Sequence, residues 1–407
     1  MTRTAAPVRR RLPTWVISVG DQGVVALVNL GLSVAVTRVA GVTALGQFVI
    51  VTTAVFVSLG VARLTVSDPW LASRTAPRTV GPELRWLVLI SAAGASGVVA
   101  AAVVLGAGAQ PRWFIACPIA FLMIVQDFGR YTAFRRERPV LALQSDLAVL
   151  LVGVMVSGVW LALHPLTVTA ILASWAVGVA AGTLVSSSRF VGALTPRHAY
   201  RYWTNYCRPL ALKLGLDTVA YLIGAKGSLY LLAYLASPRS VGIVRIVQTL
   251  FSPLALIVAG LTMWLVPLLA NQHDPAQTNR TRRLVTTWLA LGSIPLVGLA
   301  VFAGPWLAGF LFGIDTPPGW LALSLAGVST CAVAVGAPWV ASARVSGGYL
   351  PIAWVRLVVA VLTGGGMLAF IMLQSASGYL GLLAIQSVTV SITAMMIAHR
   401  QMSAARP

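Results

Sequence analysis

The chain has 407 residues, of which 58% are hydrophobic and only 9% are charged, and its mean hydropathy is +0.87. Soluble domains carry about 25% charged residues, so this composition excludes a water-facing surface around a chain of this length. A formal net charge of +20 would suit a nucleic-acid-binding protein. The cations, however, stand in short clusters between long apolar runs, which is typical of a membrane protein and gives no indication of a nucleic-acid partner.

Twelve apolar segments are long enough to cross a bilayer, which takes about 20 mostly apolar residues. In chain order they cover residues 14–36, 44–63, 85–106, 112–129, 140–161, 167–187, 214–236, 242–269, 284–304, 318–340, 350–373 and 377–398. The first follows a basic N-terminus, but its apolar run continues past Val34, so we interpret it as a transmembrane helix and not as a cleaved signal peptide. The sequence thus predicts an all-α, polytopic membrane protein of about 12 transmembrane helices.

The longest polar interruption lies near the middle of the chain and separates two sets of six segments. It contains five basic residues, Arg189, Arg197, Arg201, Arg208 and Lys213. We therefore expect an N-terminal six-helix lobe at residues 1–188, a basic cytoplasmic linker at 189–213 and a C-terminal six-helix lobe at 214–407.

The distribution of lysine and arginine predicts the orientation of the chain. With the N-terminus in the cytoplasm, the cytoplasmic segments hold 24 of the 29 Lys and Arg residues. The opposite side holds four, Arg38, Arg112, Arg239 and Arg245. Because cytoplasmic loops are enriched in positive charge, we expect a multi-pass plasma-membrane protein with both termini in the cytoplasm.

The two halves show an internal correspondence at an offset of 196 residues. This offset aligns Asp21 with Asp217, Gly31 with Gly227, Ala40 with Ala236, and Gly46 with Gly242. The aligned aspartates are two of only nine acidic residues in the chain. Halves of equal helix count around a basic loop are typical of transporters whose substrate path lies between two repeats.

Polar residues inside the spans are candidates for function, because a charge near the bilayer centre costs a few kcal/mol. Helix 1 carries a polar stripe that includes Asp21, Gln22 and Asn29. We interpret Asp21 and Asp217 as candidates for proton or cation coupling. Lys226 is the only lysine in any span. It lies about 13 Å along the helix axis from Asp217, too far for the two to pair.

Several of these residues also have purely structural explanations. Asp127 lies three residues before Arg130 and suits a local ion pair, and Asp146 suits a contact with the basic loop before helix 5. The polar stripe of helix 1 suits contacts between helices. Arg38 and Arg245 lie near the outer ends of their helices, where their side chains could extend to lipid phosphates.

Neither a cofactor nor a metal is predicted. The three cysteines, Cys117, Cys207 and Cys331, are far apart and lack ligand spacing. The stretch Gly224–Ser228 lacks the residue order of a phosphate-binding P-loop, so no ATP site is expected. A driving force would then come from an ion gradient or from consumption of the transported substrate.

Four stretches of the sequence resemble oligosaccharide flippases of polysaccharide biosynthesis. These proteins belong to the multidrug/oligosaccharidyl-lipid/polysaccharide (MOP) exporter superfamily, and the sequence resembles its actinobacterial members. The first stretch combines Gly20–Gln22 and Asn29 with Thr37–Arg38 and Gly46–Phe48. The others are Asp68–Leu71, Gln126–Tyr131 with Arg138–Pro139 and Asp146, and Gln248–Pro253 with Leu265–Pro267.

This resemblance implies two six-helix lobes around a central cavity and a polyprenyl-pyrophosphate-linked oligosaccharide that moves to the outer leaflet. Cations in the cavity would meet the pyrophosphate, a role that we assign to Lys226, Arg38 and Arg245, with Gln22 and Asn29 as further substrate-binding candidates. The expected partners are the lipid-linked oligosaccharide, membrane lipids and other membrane proteins of polysaccharide assembly.

Two alternative functions differ from this one in what they require of the sequence. A multidrug or cation-coupled exporter of the same superfamily would differ in the polarity of its ligand. A membrane-embedded glycan polymerase or glycosyltransferase would need catalytic acids or bases on an external loop. Because the external loops are short and offer only His164 and Asp315, we expect a transporter and not an enzyme.

Overall fold

The structure is a computed structural model that describes residues 14–72, 82–106, 110–136, 138–187, 196–270, 274–345, 349–369 and 375–404. The N-terminal arginines, residues 73–81 and residues 189–195 of the expected linker lie outside these ranges. Within them every regular element is helical, which confirms the all-α prediction.

The first half contains six α-helices before the central linker region. They are α1 (Thr14–Ala62), α2 (Asp68–Ala72), α3 (Pro82–Gly106), α4 (Ala116–Arg135), α5 (Pro139–Leu163) and α6 (Val168–Ser187). A π-helical turn, Arg63–Ser67, joins α1 to α2, and a 3-10 turn, Pro111–Ile115, leads into α4.

The described residues of the linker region and the second half form nine further α-helices. They are α7 (Pro196–Tyr202), α8 (Arg208–Tyr221), α9 (Ser228–Leu235), α10 (Pro238–Leu250), α11 (Ser252–Ala270), α12 (Pro275–Phe312), α13 (Trp320–Val345), α14 (Tyr349–Ala369) and α15 (Ala376–Ala404). Two π-helical turns, Trp203–Cys207 and Leu222–Gly227, make the path from α7 to α9 nearly continuous. The expected linker is thus partly helical.

Helix α1 comprises two membrane spans. Its 49 residues would extend about 74 Å as a straight helix, more than twice the roughly 30 Å of a hydrocarbon core. Gly41 interrupts it with φ 80° and ψ 176°, a non-helical conformation that glycine adopts without steric penalty. The chain therefore reverses direction at Gly41.

A second irregular span is made of α10 and α11, which meet at an angle of 58°. Pro253 lies just after this break and removes a backbone donor there. Ten helices are long and apolar enough to cross a membrane, and the bent pair is an eleventh candidate. When α1 is counted as two spans, the described residues contain twelve, in agreement with the sequence prediction.

Buried apolar side chains from both halves pack together in one large cluster that runs along the bundle. The largest hydrophobic cluster includes Phe48 from α1, Leu232 from α9, Val244 from α10 and Phe312 from α12. We call the end of the bundle that contains the turn of α1 at Gly41 the hairpin end. In the predicted orientation it faces outward, and the lobe boundaries at residues 188 and 214 stay a prediction.

The orientation can be tested by labelling two exposed positions. Ala276→Cys lies near the start of α12, and Asp315→Cys lies beyond the opposite end of that helix. An impermeant maleimide should label residue 276 only from the cytoplasm and residue 315 only from outside. Burial raises the pKa of the native Cys207 thiol to about 11, so it should contribute little background. Labelling of residue 276 from outside in intact cells would overturn the orientation.

Candidate functional site

Charged side chains from three helices and one π-helical turn converge in the half of the bundle opposite the hairpin end. Asp21 comes from α1, Arg63 from the π-helical turn, Asp127 and Arg130 from α4, and Asp146 from α5. We call these five residues the carboxylate–arginine cluster. The three aspartates are buried, with at most 5% of each residue exposed.

Arg130 binds all three carboxylates of the cluster. Its Nη2 atom donates to Oδ2 of Asp21 and lies 3.2 Å from Oδ2 of Asp146, so two carboxylates share one guanidinium nitrogen. Its Nη1 atom lies 3.5 Å from Oδ1 of Asp127. The local pair expected from the i, i+3 spacing is therefore present, but Arg130 also connects α4 to α1 and α5.

Arg63 supplies the closer partner of Asp127. Its Nε and Nη2 atoms donate to the two carboxylate oxygens at 2.8 and 2.6 Å, a bidentate geometry that strengthens an ion pair. Arg63 is the first residue of the π-helical turn. Such turns are frequent at functional sites, and this one ends the second span with its arginine against α4.

Neutral side chains fix the position of Asp146. The side-chain amide of Gln126 donates to Oδ1 of Asp146 at 2.9 Å and to Oγ of Ser145 at 3.1 Å. Ser145 in turn donates to the Gly182 carbonyl at 2.8 Å. Asp146 therefore faces the interior of the bundle and not the basic loop before helix 5.

The cluster has an unbalanced charge. Three carboxylates and two guanidinium groups give a net charge of −1 when all five groups are ionised. In addition, Asp21 Oδ1 accepts no hydrogen bond within the described part of the chain, and Asp146 Oδ2 has only its 3.2 Å ion-pair contact with Arg130 there. A buried group of this kind is stabilised by one further positive charge, either a proton or a monovalent cation.

The remaining polar residues of helix 1 have separate contacts. Gln22 donates to Asp21 Oδ2 at 3.4 Å and so borders the cluster. Asn29 donates to the Val25 carbonyl of its own helix at 3.0 Å. The substrate-binding role of Gln22 and Asn29 stays a prediction.

Arg38 and Arg245 both connect α1 to the second half of the chain. Arg38 donates through Nε to the Leu311 carbonyl at 3.0 Å and through Nη2 to the Phe310 carbonyl, at the C-terminal end of α12. Arg245 donates from α10 to the buried Ser33 hydroxyl at 3.3 Å. Their observed partners are thus protein groups, and binding of substrate by either residue stays a prediction.

Lys226 lies in the π-helical turn between α8 and α9 and is half-buried. No carboxylate of a described residue forms an ion pair with it. Asp217 is in α8, but its side chain lies outside the described residues, so its expected coupling role stays a prediction. The structure brings Asp21 and Gln22 together and places Arg38, Arg245 and Lys226 elsewhere.

The sequence interpretation missed the arginines that pair with Asp21 and Asp127. The local spacing predicted only Asp127 as a partner of Arg130, and the sequence predicted no partner for Arg63. Both arginines lie at the ends of apolar segments, and this position could have indicated that they pair with acids inside the bundle. The choice of partner was not readable, because it depends on how α1, α4 and α5 are rotated against one another.

Comparisons with known proteins identify the fold. No protein-family model and no curated protein matches the sequence. Among solved structures, an inward-facing multidrug resistance MATE family transporter of the MOP superfamily gives a TM-score of 0.64 at 11% identity, covering 96% of this chain and 98% of that chain. The Vibrio cholerae MATE transporter VcmN in the bent form gives 0.61 at 12% identity, covering 96% of each chain.

A MOP superfamily transporter from Pyrococcus furiosus is also similar, with a TM-score of 0.65 at 12% identity over 97% of this chain and 95% of that chain. That protein is described as having a binding pocket of reverse polarity that suggests a different function. At these identities the likeness establishes the fold. The chain has the polytopic, all-α fold of MATE transporters, and the three solved structures named here are transporters.

The ion pairs of the cluster can be tested by paired substitution. Arg130→Gln leaves buried carboxylates without their counter-charge and should lower the stability of the folded protein by roughly 3–5 kcal/mol. Adding Asp146→Asn should recover part of that loss, because one of the unpaired charges is then removed. Thermal unfolding in detergent measures both effects, and Arg283→Gln, at an exposed position of α12, is the control. Equal melting temperatures for Arg130→Gln and Arg283→Gln would contradict the arrangement.

Proposed function

We propose that this chain is an alternating-access transporter that moves a polyprenyl-pyrophosphate-linked oligosaccharide across the plasma membrane for cell-surface polysaccharide biosynthesis. The observation that carries the proposal is Lys226, a mid-span ammonium without a described carboxylate partner. The transporter fold supports alternating access, and the charge of the second half supports an anionic substrate.

The two halves of the chain differ in how their membrane-embedded cations are paired. In the first half, Arg63 and Arg130 bind aspartates of the cluster. In the second half, neither Lys226 nor Arg245 contacts a carboxylate of a described residue. A cation inside a membrane protein needs a counter-charge, and a pyrophosphate entering between the halves would supply one.

The carboxylate–arginine cluster would provide the coupling to an ion gradient. Its charge of −1 matches one proton or one monovalent cation, and the places for it are Asp21 Oδ1, which accepts no hydrogen bond from a described residue, and Asp146 Oδ2, which shares the Arg130 nitrogen. Binding would weaken the attraction between Asp21 and Arg130 and so free α1 relative to α4 and α5. Asp217, which aligns with Asp21 at the 196-residue offset, would have the corresponding role in the second half.

A multidrug exporter is the second candidate, because fold neighbours are multidrug resistance transporters. The two functions place opposite demands on Lys226. A mid-span ammonium would repel a cationic drug and would attract a pyrophosphate.

The coupling role predicts a specific defect for Asp21→Asn. In proteoliposomes this variant should keep only the transport rate that is measured without an ion gradient, because the neutral amide cannot exchange a proton or cation. Asp315→Asn, which alters an exposed acid outside the spans, should keep the stimulation by the gradient. Gradient-dependent transport that is unchanged in Asp21→Asn would reduce Asp21 to a packing partner of Arg130.

The substrate role predicts an affinity defect for Lys226→Ala. Loss of a charge-assisted contact worth about 1.5–3 kcal/mol should weaken binding of pyrophosphate-linked glycolipid roughly 10- to 100-fold, and Lys226→Arg should retain part of the affinity. Binding to the purified protein and thermal stability in detergent should be measured together, with the uncharged polyprenol as a control ligand. Lost stability with unchanged affinity would refute the substrate role, and tighter binding of a cationic drug would favour the exporter.

A further inference from the structure

Two glycines allow the halves of the chain to touch backbone to backbone at the hairpin end. A Cβ atom added to Gly46 in α1 would overlap the carbonyl group of Pro238 at the start of α10. A Cβ atom added to Gly242 in α10 would overlap the carbonyl group of Val42 and would lie 2.8 Å from its Cγ1 atom. Neither carbonyl can move aside as a flexible side chain could.

These two contacts are related by the internal repeat. Gly242 follows Gly46 by 196 residues, and Pro238 follows Val42 by the same 196 residues. Each half therefore presents its glycine to the carbonyl that the other half offers at the equivalent position. Such reciprocity is the signature of a two-fold related interface, and small residues are what allow helices in membranes to approach this closely.

Arg38 adds a polar contact between the halves at the same end. Its guanidinium group binds the carbonyls of Phe310 and Leu311, which are among the last in α12 and therefore have no partner within that helix. Gly313, in the left-handed conformation, ends α12 directly beside Arg38. A Cβ atom added to Gly313 would lie 3.5 Å from the Nε atom of Arg38. A cation is well placed at the C-terminal end of a helix dipole.

A further contact lies one to two helical turns deeper in the bundle. The Tyr230 hydroxyl of α9 donates to the Ile50 carbonyl of α1 at 2.9 Å. Every one of these contacts joins a group in α1 to the second half of the chain. The hairpin end is thus closed in this structure.

We infer that the crossing of Val42–Gly46 with Pro238–Gly242 is the gate that seals the hairpin end, and that Arg38 is the latch that holds it shut. The inference rests on the alternating-access part of the proposed function and not on its substrate. It assigns Arg38 to the gate and removes it from the substrate-binding residues. Opening requires the two glycine–carbonyl contacts to separate together, because the repeat makes them equivalent.

The gate predicts that a single methyl group shifts the conformational equilibrium. Gly46→Ala should raise the ratio of open to closed protein at the hairpin end at least about tenfold. Gly31→Ala is the matched control, since it makes the same change in the same helix where no atom lies within 4 Å of the added Cβ. Gly242→Ala should reproduce the shift from the other half.

The measurement is the distance distribution between spin labels at His164→Cys and Asp315→Cys, two exposed positions near the hairpin end, one in each half. The purified protein without native cysteines is studied in nanodiscs with no substrate, so failure of the substrate proposal leaves the result unaffected. Longer distances are expected for Gly46→Ala and Gly242→Ala, and the parent distribution is expected for Gly31→Ala.

Arg38→Gln provides an independent arm that adds no volume and should fold even if an alanine variant does not. It should lengthen the same distance by removing the latch from α12. The inference is overturned if the glycine variants and Arg38→Gln all keep the parent distribution, or if Gly31→Ala lengthens the distance as much as Gly46→Ala does.

Discussion

The position of the first helix depends on one guanidinium group that serves three carboxylates inside the bundle. Ionised carboxylates at this depth are costly unless they are paired, and Arg130 is the group that reaches Asp21, Asp127 and Asp146 together. Without it, α1, α4 and α5 would repel one another through their acids. Because one nitrogen serves two of these carboxylates and one negative charge is left over, the arrangement is also sensitive to the arrival of a proton or a cation.

Helix α1 links this cluster to the contacts at the hairpin end. From Asp21 to Arg38 it is continuous, a distance of about 26 Å, so a rotation at the cluster is carried as a rigid motion to Arg38 and the turn at Gly41. In the proposed cycle, binding of a proton or cation at Asp21 would loosen one end of this helix while Arg38 and the two glycines release the other. Coupling of this kind needs an element with two discrete arrangements, and the proposed joint separation of the reciprocal glycine contacts would provide it.

Properties that depend on local sequence were predictable, and properties that depend on helix rotation were not. The twelve spans follow from apolar length, and the alignment of Gly46 with Gly242 was visible as an offset of 196 before any contact was known. Asp21 was identified because a charge in a span is rare. Its pairing with Arg130, 109 residues away, could not be predicted, because partners on different helices are set by packing. The bonds from Arg38 to backbone carbonyls could not be predicted either, because every residue has a main-chain carbonyl and the sequence does not mark which one accepts. For the same reason Asp146 was assigned to the adjacent loop, although Gln126 and Arg130 hold it in the interior.

The central claim is that this fold moves a lipid-linked anion between leaflets. The direct measurement is translocation of a fluorescent polyprenyl-pyrophosphate-linked oligosaccharide in proteoliposomes that contain only the purified protein. The readout is the fraction of the fluorescence that is protected from an impermeant quencher. The account predicts protein-dependent translocation that competes with unlabelled glycolipid and that an uncharged polyprenyl glycan does not inhibit. The account would be contradicted if the glycolipid crossed no faster than in liposomes without protein while the same preparation transported a hydrophobic cationic drug.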